Sequence, residues 1–260
     1  MRVEQQCTIV SKQILGSDTI FLVLEAGEMV RASFRGPGQF VHIKCGEGLL
    51  LRRPISVCTC QQDKPCDLIS VAFEVRGEGT RWLAERQQGD TLDMLGLAGN
   101  GYSMHAGGRY LLVGGGIGVP PLWGCAQYAG QGNSTAILGF RTAQRAILTD
   151  LFDGQCDKLL VATDDGTLGH HGFVDELVRQ QLRADTRYDA VLACGPKPML
   201  RSVARAAAEF NIPCQVSMEE RMGCGVGACL VCACDMADGT RSHVCKDGPV
   251  FDAREVDWNG

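Results

Sequence analysis

The first hundred residues carry short apolar runs rich in β-branched side chains, each closed by Gly, Pro or Asp. Cys7–Leu15, Thr19–Glu25, Gln39–Lys44, Ile55–Thr59 and Leu68–Val75 are such runs, and their spacing predicts an antiparallel barrel or sandwich. Gly16-Ser17-Asp18 marks a turn between the first two, and Thr80–Gln87 is the one helix expected in this part. From Arg109 the pattern changes. Tyr110–Val113 is apolar at every position, as in a buried strand, and Ala136–Phe140, Lys158–Ala162 and Ala190–Cys194 repeat that pattern. Helices are expected from Val119 to about Tyr128, over Gly172–Leu182 and over Pro198–Phe210. Strands alternating with helices predict a parallel α/β sheet. The fold class is therefore β plus α/β. An N-terminal β-barrel is expected over 1–104, an α/β unit over 105–213, and a small glycine- and cysteine-rich unit over 214–260.

Composition narrows the function classes. At 260 residues, 45% of them apolar, the chain can bury a sizeable core. A net charge of −5 argues against nucleic acid or an anionic membrane as the main partner. The longest apolar run, Tyr110 to Leu122, is broken by glycines and prolines, so no bilayer span is expected. Fourteen cysteines are many, yet the chain is too long for a disulfide scaffold and opens on Met-Arg-Val-Glu without an apolar leader. Reduced thiols and a cytoplasmic location are the expectation. Cys7, Cys45, Cys58, Cys60, Cys66, Cys125, Cys156 and Cys214 are expected to be small packing residues.

Four cysteines stand apart. Cys224, Cys229, Cys232 and Cys245 read C-x4-C-x2-C, then twelve residues, then C. That is the spacing of a plant-type [2Fe–2S] site. Gly223, Gly225 and Gly227 alternate through the loop, which lets backbone N–H groups approach sulfur. Structural zinc is the competing assignment, but zinc usually takes two short C-x2–4-C knuckles. Cys234 leaves the third ligand open by counting alone, and the two-residue gap favours Cys232.

Four further segments carry candidate chemistry. Gly114, Gly115, Gly116 and Gly118 join a buried strand to a helix opened by Pro120 and Pro121, a place for a phosphate or another electron-rich group. Cys194-Gly195-Pro196 ends a strand, where open α/β sheets bind ligands. In Leu51-Arg52-Arg53-Pro54-Ile55-Ser56, two arginines and a serine at the edge of a strand could hold a pyrophosphate and a flavin edge. Gly77-Glu78-Gly79-Thr80 forms a phosphate-sized nest, with Thr80 as helix N-cap or ligand. Each has a plain alternative: a packing turn, a buried cysteine, a solvated basic pair and a capped helix start.

Taken in order, Arg53–Ser56, Gly77–Thr80, Gly114–Leu122 and Cys194–Leu200 resemble the ferredoxin–NADP reductase superfamily. Glu219–Cys232 and Val244–Phe251 narrow the resemblance to electron-transfer subunits of heteromeric, NAD-dependent dihydroorotate dehydrogenase B. The resemblance covers essentially the whole chain. It implies an FAD-binding barrel, an NAD-binding α/β domain and a C-terminal [2Fe–2S] domain. It implies FAD contacts at Arg53, Pro54, Ile55, Ser56, Ala72, Phe73, Glu74, Gly79 and Thr80. The family often has a tyrosine–arginine pair where this chain has Phe73-Glu74, so backbone contacts are the expectation there. Nicotinamide would meet flavin at the Gly114 turn and Cys194-Gly195-Pro196, with Thr163-Asp164-Asp165-Gly166 lining the crevice. The subunit would hold no nucleophile or general base. Its partner would be an FMN-containing catalytic subunit in pyrimidine biosynthesis, in a heterotetramer of two plus two. A stand-alone NAD(P)H reductase serving ferredoxin or an oxygenase is the alternative, and Pro249–Phe251 is expected to be docking surface for a subunit. Arg141, after the second α/β strand, is too little to claim NADP.

Overall fold

The computed structural model describes residues 3–63 and 66–259, with the side chains of 62–66, Cys66 among them, outside the described residues. The chain opens with β1 (Val3–Leu15) and β2 (Thr19–Glu25), a short helix α1 (Gly27–Ser33), then β3 (Phe40–Ile43), β4 (Arg53–Asp63) and β5 (Cys66–Glu74). Helix α2 (Glu78–Ala84) and β6 (Thr91–Ala98) complete this part. The six strands close an antiparallel barrel in the order β1-β2-β5-β4-β3-β6. Alternation explains the closure: Leu22, Leu24, Val41, Ile43, Val57, Ile69, Val71, Leu92 and Met94 all point into one apolar interior. Two helices stand where the sequence predicts one, and the barrel is closed by β6, a strand the sequence pattern does not mark.

Beyond the barrel come β7 (Tyr110–Gly115), α3 (Val119–Ala129), β8 (Ser134–Phe140), α4 (Thr149–Gln155), β9 (Lys158–Thr163) and β10 (His170–His171). Then follow α5 (Val174–Ala184), β11 (Ala190–Cys194), α6 (Lys197–Glu209) and β12 (Cys214–Ser217). The sheet order is β10-β9-β8-β7-β11-β12, parallel throughout, and β7 is buried at every position. A fully buried Leu or Val contributes about 1.5–3 kcal/mol, so Leu111, Leu112 and Val113 anchor the centre of this layer. Helices α5 and α6 contribute to the core on one face; α3 and α4 contribute to that on the other.

The cysteine-rich lobe is an excursion from this sheet. It leaves after β12, makes a hairpin of β13 (Ala233–Asp235) and β14 (Arg241–His243), and returns as β15 (Val250–Asp252). β15 pairs antiparallel with β12, Ser217 opposite Val250. Pro249, Val250 and Phe251 are thus buried inside their own chain, which overturns the expectation that they form a docking surface. Among the described residues no helix is long and apolar enough to cross a membrane.

Candidate functional site

Strand order places the first half of the site. β7 runs forward to β8 and β9, whereas β11 returns on its other side, so the order reverses between β7 and β11. Ligands of open α/β sheets bind at that reversal, beyond the carboxyl ends of the strands. Gly114 and Cys194 are register partners there, which brings the Gly114–Gly118 turn beside Cys194-Gly195-Pro196. The two turns touch closely. A Cβ on Gly118 would stand 2.5 Å from the Cys194 carbonyl carbon and 2.7 Å from the Gly195 nitrogen. One on Gly114 would stand 2.8 Å from Val119 Cγ2, and one on Gly115 would overlap the Met199 sulfur. Only Gly116, at φ +53, faces open space. Cys194 is buried, and burial pushes its thiol up to about 12, against the opposing effect of Ser217. At the end of β9, Asp164 is exposed, while the Asp165 carboxylate accepts the Thr167 N–H at 3.0 Å and its hydroxyl at 2.6 Å.

The barrel side of this crevice comes from β4 and β5. Ile55 and Phe73 point into the barrel core, so their backbones alone can meet a ligand outside. Pro54, Ser56 and Ala72 are on the opposite face of their strands. The Arg53 guanidinium folds over Gly79, where a Cβ would come within 2.5 Å of Nε, and bonds the Leu51 carbonyl. Glu74 pairs with Arg76, whose Nε donates to it at 2.7 Å. Thr80 is not the N-cap of α2. The cap is Gly77, and Thr80 Oγ1 reaches back to accept the N–H groups of Arg76 at 2.9 Å and Gly77 at 3.0 Å. Tyr102, which follows the barrel, donates its hydroxyl to the Ala193 carbonyl at 2.9 Å, fixing the barrel against β11.

The four cysteines form the second half. Each sulfur accepts at least one backbone N–H. Cys224 Sγ takes those of Val226 and Ala228 at 3.3 Å and Cys229 at 3.4 Å. Cys229 Sγ takes that of Cys224 at 3.3 Å, Cys245 Sγ that of Gly227 at 3.1 Å, and Cys232 Sγ that of Cys245 at 3.4 Å. Burial would raise the Cys224 thiol, but the N–H groups of Val226, Cys229 and Ala228 outweigh it and bring it down to about 6. At Cys245 burial wins, helped by the neighbouring Cys232, and the thiol rises to about 12. Donors aimed at all four sulfurs fit an iron–sulfur cluster, whose sulfurs take such hydrogen bonds. Cys234 is buried, and its thiol donates to the Asp235 carbonyl at 3.8 Å. Among the described residues no three His, Cys, Asp or Glu side chains converge as a single-ion site. Cys229 is exposed, Cys224 half-buried, and Cys232 and Cys245 buried.

Two residues missed in the sequence hold this lobe to the barrel. His42, buried on β3, packs against Gly225. Asn100 donates through Nδ2 to the Asp247 carbonyl at 2.9 Å and through its backbone N–H to Gly248 at 2.6 Å. Neither carried a signal in the sequence beyond a lone histidine in an apolar strand and an Asn-Gly turn.

A flavin-type barrel, a nucleotide-type parallel sheet meeting it at the switch point, and a cysteine lobe define an oxidoreductase of the ferredoxin-reductase fold. Comparison with known proteins agrees. Residues 219–257 match the family model described as the iron–sulfur cluster binding domain of dihydroorotate dehydrogenase B. Over 261 residues the chain is 42% identical to the dihydroorotate dehydrogenase B (NAD(+)) electron transfer subunit of Geobacillus thermodenitrificans, covering 97% of this chain and 98% of that one. It is 41% identical over 262 residues to the subunit of the same name from Bacillus caldolyticus, with the same coverage. A solved NADH-dependent reduced ferredoxin–NADP oxidoreductase superposes with a TM-score of 0.86 at 31% identity, over 98% of this chain and 91% of that one. The ferredoxin reductase of a carbazole 1,9a-dioxygenase shares the fold alone, at a TM-score of 0.66 and 20% identity. The chain belongs to the family of dihydroorotate dehydrogenase B (NAD(+)) electron transfer subunits.

Proposed function

We propose that this chain is the electron-transfer subunit of an NAD-dependent dihydroorotate dehydrogenase in pyrimidine biosynthesis. The observation that carries the reading is the cysteine quartet, with every sulfur met by a backbone N–H, placed beside a barrel and a switch-point crevice. In this reading Cys224, Cys229, Cys232 and Cys245 hold a [2Fe–2S] cluster. Pro54, Ser56, Ala72 and the backbones of Ile55, Phe73 and Glu74 line an FAD, whose pyrophosphate is met by Arg53, Gly79 and Thr80. The Gly114–Gly118 turn and Cys194-Gly195-Pro196 bound the nicotinamide of NAD, with Gly116 the glycine open to it. Bound there, the cluster supplies one-electron steps, and the flavin links them to two-electron hydride chemistry with the nicotinamide. The chain's own residues bind, orient and shield; no nucleophile or general base is assigned.

The partner is an FMN-containing catalytic subunit that oxidises dihydroorotate, in an assembly of two plus two in the cytoplasm. The exposed Cys229, with Val226, Leu230 and Val231 also exposed around it, is the face through which electrons enter from that partner. The barrel unit over 1–104 and the α/β unit over 105–213, whose sheet continues into β12 and β15, divide flavin from nicotinamide; the lobe between those two strands carries the cluster.

Anaerobic purification with metal and flavin analysis tests the cofactor set: about two irons and one FAD per chain are expected. Zinc in place of iron overturns it. Co-expression with the catalytic subunit should yield a tight complex that reduces NAD+ with dihydroorotate, whereas the chain alone should not. The likeness to a reduced ferredoxin–NADP oxidoreductase favours a second reading, a reductase acting on ferredoxin. Full turnover of the isolated chain with ferredoxin and NADPH would select it.

A further inference from the structure

Strand β3 is buried at all four positions. In a barrel wall, neighbouring residues point alternately in and out. Val41 and Ile43 fill the interior. Phe40 and His42 therefore face outward, and both are covered. Phe40 packs in the core that includes Cys232, Val244 and Cys245. His42, 1% exposed, lies under the cysteine loop. A Cβ on Gly225 would stand 2.5 Å from its Cε1, 2.7 Å from Nδ1 and 2.8 Å from Nε2, so the outer edge of the ring abuts the glycine. Gly225 follows Cys224 directly and holds φ +66, a geometry that a side chain would strain. The Phe40 and His42 rings are 5.6 Å apart and tilted by 58°, making one continuous seat. Across the strand pair, Phe40 faces Ser56 and His42 faces Pro54. The seat of the cysteine loop is thus next door to the strand assigned to the flavin.

We propose that His42 is a positioning residue. Its ring, presented outward from the strand beside the flavin strand, seats the Cys224–Cys229 loop and fixes where the cluster stands relative to the flavin. The inference rests on the reading that the four cysteines hold a [2Fe–2S] cluster. Its physical content is local. Removing the ring leaves a void under Gly225. The loop then relaxes, and the N–H groups of Val226, Ala228 and Cys229 lose their aim at Cys224 Sγ. Hydrogen bonds to the sulfurs are one of the quantities that set a cluster's potential and spectrum.

The test uses the full chain, wild type against His42→Ala, His42→Phe and Gly225→Ala. Three quantities are read: the EPR spectrum of the dithionite-reduced cluster, its midpoint potential, and hydrogen exchange of the amides over 225–229. In His42→Ala the g values and potential should shift, and exchange over 225–229 should speed by about tenfold or more, with flavin content unchanged. His42→Phe restores the bulk and should recover most of the exchange protection. Gly225→Ala presses on the same contact from the other side and should shift the spectrum even if His42→Ala fails to fold. A wild-type spectrum, potential and exchange in folded His42→Ala, or an unmoved spectrum in Gly225→Ala, overturns the inference. A wild-type protein without iron overturns the reading beneath it instead.

Discussion

The turn at Gly114–Gly118 and the loop at Gly223–Gly227 are both glycine-rich, and they use glycine for different reasons. In the turn, missing side chains make room for the protein itself: Val119 against Gly114, Met199 against Gly115 and the Cys194 backbone against Gly118. Only Gly116 has a positive φ and open space around it. In the loop, Gly225 and Gly227 hold φ +66 and +80, which turns successive N–H groups toward sulfur. The turn is therefore part of the framework, with one residue given to a ligand. The loop is a set of donors hung on a left-handed backbone. One composition thus serves global stability in one place and local chemistry in the other.

Substitutions in the two segments can break or sharpen that contrast. The largest effect is expected at the ligands: Cys229→Ser should lose the iron and, in the complex, dihydroorotate-driven NAD+ reduction, with flavin retained on an intact barrel. Metal analysis beside flavin absorbance reads both. Next comes Gly118→Ala, whose new methyl meets backbone rather than a movable side chain. A loss of about 3 kcal/mol in urea unfolding is expected, and an unchanged midpoint would break the contrast. Gly227→Ala should cost about 1–2 kcal/mol of local strain, because its neighbour, the Lys246 side chain, can move. Iron retention during gel filtration should drop while the thermal midpoint of the barrel holds. The smallest effect belongs to Gly116→Ala. With free space at that position, about 1 kcal/mol of strain is expected, together with a higher KM for NADH at unchanged iron and flavin content.

The parts of the fold legible in the sequence are those where burial is one-sided or complete. Tyr110–Val113, apolar at every position and closed by glycines, fits a buried strand, and Thr19–Glu25 has the ends its pattern predicts. The closing strand β6 is hard to see in the sequence because Asp93 and Gly96 break up Leu92, Met94, Leu95 and Leu97, so its alternation is weak in polarity though clearer in burial. Helix α1 is too short for any periodicity. β12 and β15 hide because each is a few residues long and its partner lies across the cysteine lobe. At the site, residue types announced the cysteines and the two nucleotide turns. Of the two roles the sequence offers Thr80, the N-cap belongs to Gly77 instead, since a threonine at the third helical position can reach back to the cap as well as serve as one. His42 and Asn100 were invisible because their roles depend on what folds against them, and nothing in their neighbours along the chain encodes that.

The return of the lobe to its starting point has a consequence of its own. Residues 218–249 leave from Ser217 and come back at Val250, and those two are a paired rung of one antiparallel ladder. The lobe is a graft on a hairpin: its two cut ends are already held at the spacing a tight turn would bridge. Lengthening a turn costs only about 0.6 kcal/mol per doubling, so an insertion of this size burdens the ladder by about 2 kcal/mol. By the same arithmetic, excising it and splicing in a short turn keeps the β12–β15 rung paired and leaves the barrel and the parallel sheet without their cysteine lobe.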